Sequence, residues 1–156
     1  MNNVRLDVTD TVKDLGVWFS SDLKVSNQCG KAYSKANRLL GVLKRTIENK
    51  NTDVMLRLYK TLVRPHVEYC TSARSPYYPK DKEQIEKIQH GFTKMLPAVK
   101  CLSYTDRLHR LGLWSLEERR NRADLIEVYK MLNGLSSLSS KTFFAMDDSS
   151  RTRGYS

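Results

Sequence analysis

The sequence predicts a mainly α protein, with a short N-terminal β-hairpin, a bundle of about five helices and a flexible C-terminal tail. Three observations predict it. Apolar residues alternate with polar ones only in the first twenty positions, recur every three or four residues from Val25 to Leu132, and give way to a Ser-rich stretch after Gly134. The expected units are residues 1–20 as a β element, 21–134 as a helical domain and 135–156 as a loose tail.

Val4, Leu6 and Val8 alternate with Arg5, Asp7 and Thr9, and Leu15, Val17 and Phe19 alternate in the same way, with Trp18 on the opposite face. Thr9-Asp10-Thr11 is the expected turn between them. A lone two-stranded hairpin is marginal in water, so these strands need helices or further strands to rest on.

Val25, Cys29, Ala32, Ala36, Leu39, Leu40, Leu43 and Ile47 form the inner stripe of a long helix that Ser26 or Asn27 is placed to cap. A second helix starts near Thr52-Asp53 and buries Val54, Met55, Leu58, Tyr59, Leu62 and Val63 until Pro65 ends or kinks it. Ser75-Pro76-Tyr77-Tyr78-Pro79 reads as a loop. Asp81 begins a third helix, with Ile85, Ile88, Phe92, Met95 and Leu96 inward and Pro97 closing it. A short helix from Tyr104 to Leu111 stops at Gly112. The last helix opens with Ser115 and Glu118 at capping-box spacing, carries Leu116, Ala123, Ile126, Tyr129, Met131 and Leu132 as its apolar stripe, and ends at Asn133-Gly134. Phe143-Phe144 is an apolar pair in the tail, suited to docking on some other surface.

The chain carries 27 Lys and Arg against 17 Asp and Glu, a net charge of +10. Such a surplus suits a partner that carries phosphates, because each neutralised phosphate releases a counterion. An anionic membrane surface is the competing partner, and basic composition favours nucleic acid over it, so no membrane partner is expected. Separately, no apolar run is long enough to span a bilayer, and Met1-Asn2-Asn3-Val4 does not open a signal peptide. Cys29, Cys70 and Cys101 are odd in number and far apart. They read as reduced thiols of an intracellular protein, cytoplasmic or nuclear.

No catalytic constellation emerges. Asp147-Asp148, after Ala145-Met146, resembles the aromatic-x-Asp-Asp turn that holds two metal ions in polymerases. The aromatic position is Ala145, however, and the pair sits in a polar tail. His66 and Cys70 lie four apart, but zinc needs four ligands and no second pair stands at ligand spacing. There is no GxGxxG, P-loop or GxSxG. The reading is a chain that is not an enzyme by itself, with no catalytic residue, metal ligand or cofactor.

Binding is better supported. The outer face of the long helix carries Lys31, Lys35, Arg38, Lys44 and Arg45, with no acidic residue between Val25 and Thr46. A solvated helix face ordinarily mixes both signs as i,i+4 pairs. A one-signed face suits a sugar–phosphate strand laid along it. Tyr77 and Tyr78, between two prolines, are placed either to stack on a base or simply to pack in their loop.

Several motifs, in order, resemble one family. Lys13-Asp14-Leu15-Gly16-Val17 is similar to the KDLGV strand after the catalytic turn of jockey-like non-LTR, or LINE-type, retrotransposon reverse transcriptases. Lys35-Ala36-Asn37-Arg38-Leu39-Leu40-Gly41 is similar to their next helix, and Tyr59 to Tyr69 to their YxxLVRPHLEY stretch. Ser75-Pro76-Tyr77-Tyr78, Ile85 to Gln89, Phe92-Thr93-Lys94, Leu111-Gly112-Leu113, Ser115-Leu116-Glu117, Asp124 to Lys130 and Arg151 to Gly154 continue the series over nearly the whole chain.

The resemblance implies the end of a polymerase palm, the thumb and the following helices. It further implies that Leu15 and Gly16 are primer-grip-like, that the long helix faces an RNA or RNA/DNA template–primer held weakly and without sequence preference, and that the catalytic palm lies elsewhere in the parent protein. Arg74 stands where a Trp is common, His90-Gly91 where basic residues are common and Trp114 where Pro is usual. Gly154-Tyr155-Ser156 replaces the usual GHS. Such drift fits a truncated or decaying element. A relic without function, or a helical module reused for protein interaction, is the alternative.

Overall fold

Leu15 and Gly16 both take positive φ, 44° and 83°, as the tight two-residue turns that match strand twist require. The chain reverses there, pairing β1 (Thr11–Asp14) antiparallel with β2 (Val17–Ser20) so that Val12 faces Phe19 and Lys13 faces Trp18. The computed structural model describes residues 8–71 and 75–145.

The hairpin differs from the expected one. Thr9-Asp10-Thr11 does not turn: Thr11 begins β1, and the Asp10 carbonyl accepts from the Ser21 amide at 2.8 Å to close the hairpin's open end. Most of the expected Val4–Val8 strand lies outside the described residues, and Val8 is exposed. The alternation of Leu15, Val17 and Phe19 runs straight through the turn. Only Val17 is buried, at 3%, while Leu15 projects from the turn at 83%.

The long helix α1 spans Ser26–Thr46 and buries Cys29, Ala36, Leu40 and Leu43. Neither Ser26 nor Asn27 caps it; Val25 occupies that position without a side-chain bond. The Ser26 hydroxyl instead donates to Asp81 Oδ2 at 2.5 Å, tying the start of α1 to the start of the helix that begins at Pro79.

Asn51 caps the next helix, accepting from the amides of Asp53 and Val54 at 3.0 and 3.3 Å. The helix runs as α2 (Thr52–Leu58), a π turn (Tyr59–Val63) and α3 (Arg64–Glu68). Pro65 explains the widened turn. It has no N–H and its ring crowds the carbonyl four residues back, so the Arg64 amide reaches five residues back to the Tyr59 carbonyl. Met55, Tyr59, Val63 and Val67 form a buried line four residues apart. Val54 and Leu62, expected inside, fall off that narrow line and are exposed.

Helix α4 (Pro79–Met95) begins two residues before Asp81, because a proline at the first helical position loses no bond. Ile85, Ile88, Phe92 and Leu96 point inward as expected. Tyr59 stacks on Phe92 with ring centroids 4.2 Å apart. The buried Gln89 side chain accepts from the Tyr59 hydroxyl at 3.0 Å and donates to the Trp114 carbonyl at 2.9 Å, so its polar atoms are satisfied inside the core.

Helix α5 (Tyr104–Leu111) ends at Gly112 in the left-handed conformation, as expected. Helix α6 (Leu116–Leu132) opens with the expected capping box, the Glu118 amide donating to Ser115 Oγ at 3.1 Å and the Ser115 amide to Glu118 Oε2 at 2.8 Å. The Glu86 carboxylate of α4 accepts from the Leu116 amide at 3.0 Å and from the Tyr104 hydroxyl, which ties the starts of both α6 and α5 to α4. Leu116 is buried, but Ile126, Tyr129 and Leu132 of the expected inner stripe are exposed. Spacing identifies an amphipathic helix without identifying what covers it. The one-turn helix α7 (Ser140–Phe143) packs on α6 and leaves Phe143 exposed; residues 146–156 of the expected tail, Asp147-Asp148 included, lie outside the described residues.

Candidate nucleic-acid interface

The hairpin turn, the first half of α1 and α3 enclose a cleft of about 430 Å3. It forms because two side chains anchor the hairpin to the helices. The Trp18 amide donates to Gln28 Oε1 at 2.8 Å, and the Tyr69 hydroxyl donates to the Leu15 carbonyl at 2.8 Å. Gly16 is needed at the turn for its φ of 83°, and a Cβ there would sit 3.6 Å from the Tyr69 ring.

Lys13, Leu15, Gly16, Trp18, Lys31, Lys35, His66 and Tyr69 line the cleft, with no Asp or Glu among its lining residues. The Lys31 and Lys13 ammonium groups stand 5.2 and 5.9 Å from the centre of the Trp18 ring. Burial and the Lys35 charge hold the His66 imidazole below the ordinary histidine range. The neutral ring is the expected form at pH 7, and it stands ready to charge when an anion enters.

The structure brings Lys31, Lys35, Leu15 and Gly16 to this one cleft. Arg38 and Arg45 lie seven and fourteen residues after Lys31 on the same side of α1, extending the stripe by roughly 21 Å at about 1.5 Å per residue. All are exposed, and no ion pair among the described residues involves them. Lys44 lies elsewhere: thirteen residues from Lys31 turn it about 140° round the helix, away from the cleft.

Lys13, Trp18, His66 and Tyr69 were not among the expected site residues. The cross-strand pairing of Lys13 with Trp18 follows once the turn is placed at Leu15-Gly16, so that turn is the missing signal. Tyr77 is exposed and meets Tyr78 edge-on, apart from the cleft. His66 and Cys70 do not share a helix face, because α3 ends at Glu68 and Cys70 takes a φ of 56°. Among the described residues no three His, Cys, Asp or Glu side chains gather into a metal-binding group, and no helix is long and apolar enough to cross a membrane. Comparison of the chain with protein-family models, curated proteins and solved structures gives no match.

Proposed function

We propose that the chain binds the sugar–phosphate backbone of RNA or an RNA/DNA template–primer, as the thumb-like region after the palm of a LINE-type reverse transcriptase would, and that it is not an enzyme by itself. The observation that carries this reading is the acid-free cleft. Three lysines and a histidine surround an indole face, and Arg38 and Arg45 prolong the charge along α1. A cationic groove beside an aromatic platform is the usual means of holding nucleic acid without reading its sequence. The catalytic aspartates of the parent enzyme would belong to its palm.

A labelled RNA/DNA hybrid titrated against the full chain tests the reading by fluorescence anisotropy. Saturable binding by the native chain, lost in the triple variant Lys31→Glu, Lys35→Glu, Arg38→Glu, is the expected result. All three positions are exposed, so the fold is expected to persist. Equal affinity of the two proteins would remove the proposal.

One observation favours a second reading, a protein-interaction module. Leu125, Tyr129 and Leu132 rise along the outer side of α6 at 69%, 61% and 50% exposure. A helix face of that kind suits a partner helix. A stoichiometric protein complex that forms without nucleic acid and fails in Leu125→Glu would favour it.

A further inference from the structure

We propose that a second cleft, of about 290 Å3, on the opposite flank of the kinked helix binds a phosphate group through Lys60, Arg64, Arg119 and Arg122, with Trp114 as its wall. His66 and Arg64 differ by two helical positions, about 200° of rotation, so one faces the first cleft and the other this one. The cations converge from separate elements: Lys60 from the π turn, Arg64 from α3, Arg119 and Arg122 from α6. Gly112 turns the chain between α5 and α6 with a φ of 57° and brings Trp114 to the rim.

Glu68 separates this arrangement from a set of solvated charges. Its carboxylate accepts from Arg119 Nε and, at 3.2 Å, from Arg119 Nη2, while Arg64 Nε lies 3.5 Å away. One carboxylate therefore fixes two guanidinium groups and neutralises only one of four positive charges. It does not itself line the cleft. The Arg122 guanidinium stands over the Trp114 ring with its central carbon 5.0 Å from the ring centre. Neither Lys60 nor Arg122 forms an ion pair among the described residues. Preset arginines with spare donors and an excess of charge suit a phosphate, which offers several acceptor oxygens and at least one full negative charge. The phosphate belongs either to a nucleic-acid strand or to a free polyphosphate, and the chemistry of recognition is shared.

The chain has two tryptophans, one in each cleft, Trp18 in the first and Trp114 in the second. The test is 15N NMR of the full chain, following the two indole N–H signals, with Trp18→Phe used only to assign them. The probes are inorganic tripolyphosphate and an eight-nucleotide oligothymidylate, each at constant ionic strength set with chloride. A saturable shift of the Trp114 signal with either probe is expected. Tripolyphosphate alone would identify a free polyphosphate as the ligand, and the oligonucleotide alone a backbone phosphodiester. The double variant Lys60→Glu, Arg122→Glu should weaken that shift by more than about tenfold. Lys31→Glu with Lys35→Glu should leave it unchanged. A stationary Trp114 signal with both probes, or a shift that survives the double variant, overturns the proposal. Movement of the Trp18 signal alone would leave the α1 reading intact and remove this one.

Discussion

The Tyr69 hydroxyl donates to the Leu15 carbonyl at 2.8 Å across 54 positions of sequence. This bond joins the turn of a marginal hairpin to the end of the helix that Pro65 kinks, and the first cleft lies between them. A two-stranded hairpin has little stability of its own, so its position depends on such attachments. Tyr69→Phe should therefore cost about 0.5–1 kcal/mol, the lower part of the range for a hydrogen bond because the group is exposed. Amide hydrogen exchange should quicken across Thr11–Ser20 while α1 and α4 stay protected. Unchanged exchange in the hairpin would mean that the Tyr69 bond does not hold it, leaving Gln28 and the buried Val17 as its anchors.

Gly91 lies inside α4, where glycine costs about 1 kcal/mol relative to alanine. A Cβ there would meet Leu40 Cδ2 of α1 at 3.5 Å, an ordinary contact. Gly91→Ala is expected to raise stability by about 0.5–1 kcal/mol in urea denaturation. A loss of that size would show that α1 and α4 need the missing methyl.

Much of the helical frame is legible in the sequence because its signals are local. The Ser115–Glu118 box, the Gly112 stop and Pro65 each act within one turn of themselves, and each works as chemistry dictates. The hairpin register is less legible. Its two-residue turn begins with Leu15, not with the Asn, Asp or Gly that usually announces positive φ, and the alternation of Leu15, Val17 and Phe19 hides the reversal. The stripe on α1 follows from spacing alone, whereas the cleft depends on Trp18, His66 and Tyr69, which separate elements bring together. The second cleft is hidden for the same reason: Lys60, Arg64, Arg119 and Arg122 are unremarkable cations until the fold gathers them and Glu68 orients two.

If the first cleft holds phosphate as proposed, His66 should make that binding pH-dependent. Burial first, and then Lys35, lower its pKa in the free chain. A bound phosphate favours the protonated ring, so binding takes up a proton, and affinity rises as pH falls from the pKa of the bound form towards the lower pKa of the free chain. Stability moves the other way. With the folded value below the unfolded one, the contribution of neutral His66 is complete above the unfolded pKa and is lost as pH falls. Anisotropy titrations at pH 7.5 and 5.5 should differ by about threefold in favour of the lower pH, as one screened charge would give. His66→Gln should remove most of the difference. His90, also held low by burial and then by Arg107, lies outside the cleft and should not. An unchanged pH profile in His66→Gln would place the titrating group elsewhere.

The salt dependence of hybrid binding tests the charge stripe most directly. With Lys13, Lys31, Lys35, Arg38 and Arg45 meeting phosphates, log K should fall against log salt concentration with a slope of about −3 to −5. The triple variant Lys31→Gln, Lys35→Gln, Arg38→Gln should flatten that slope by about two to three. Binding whose slope is near zero, or is the same in both proteins, would contradict the account.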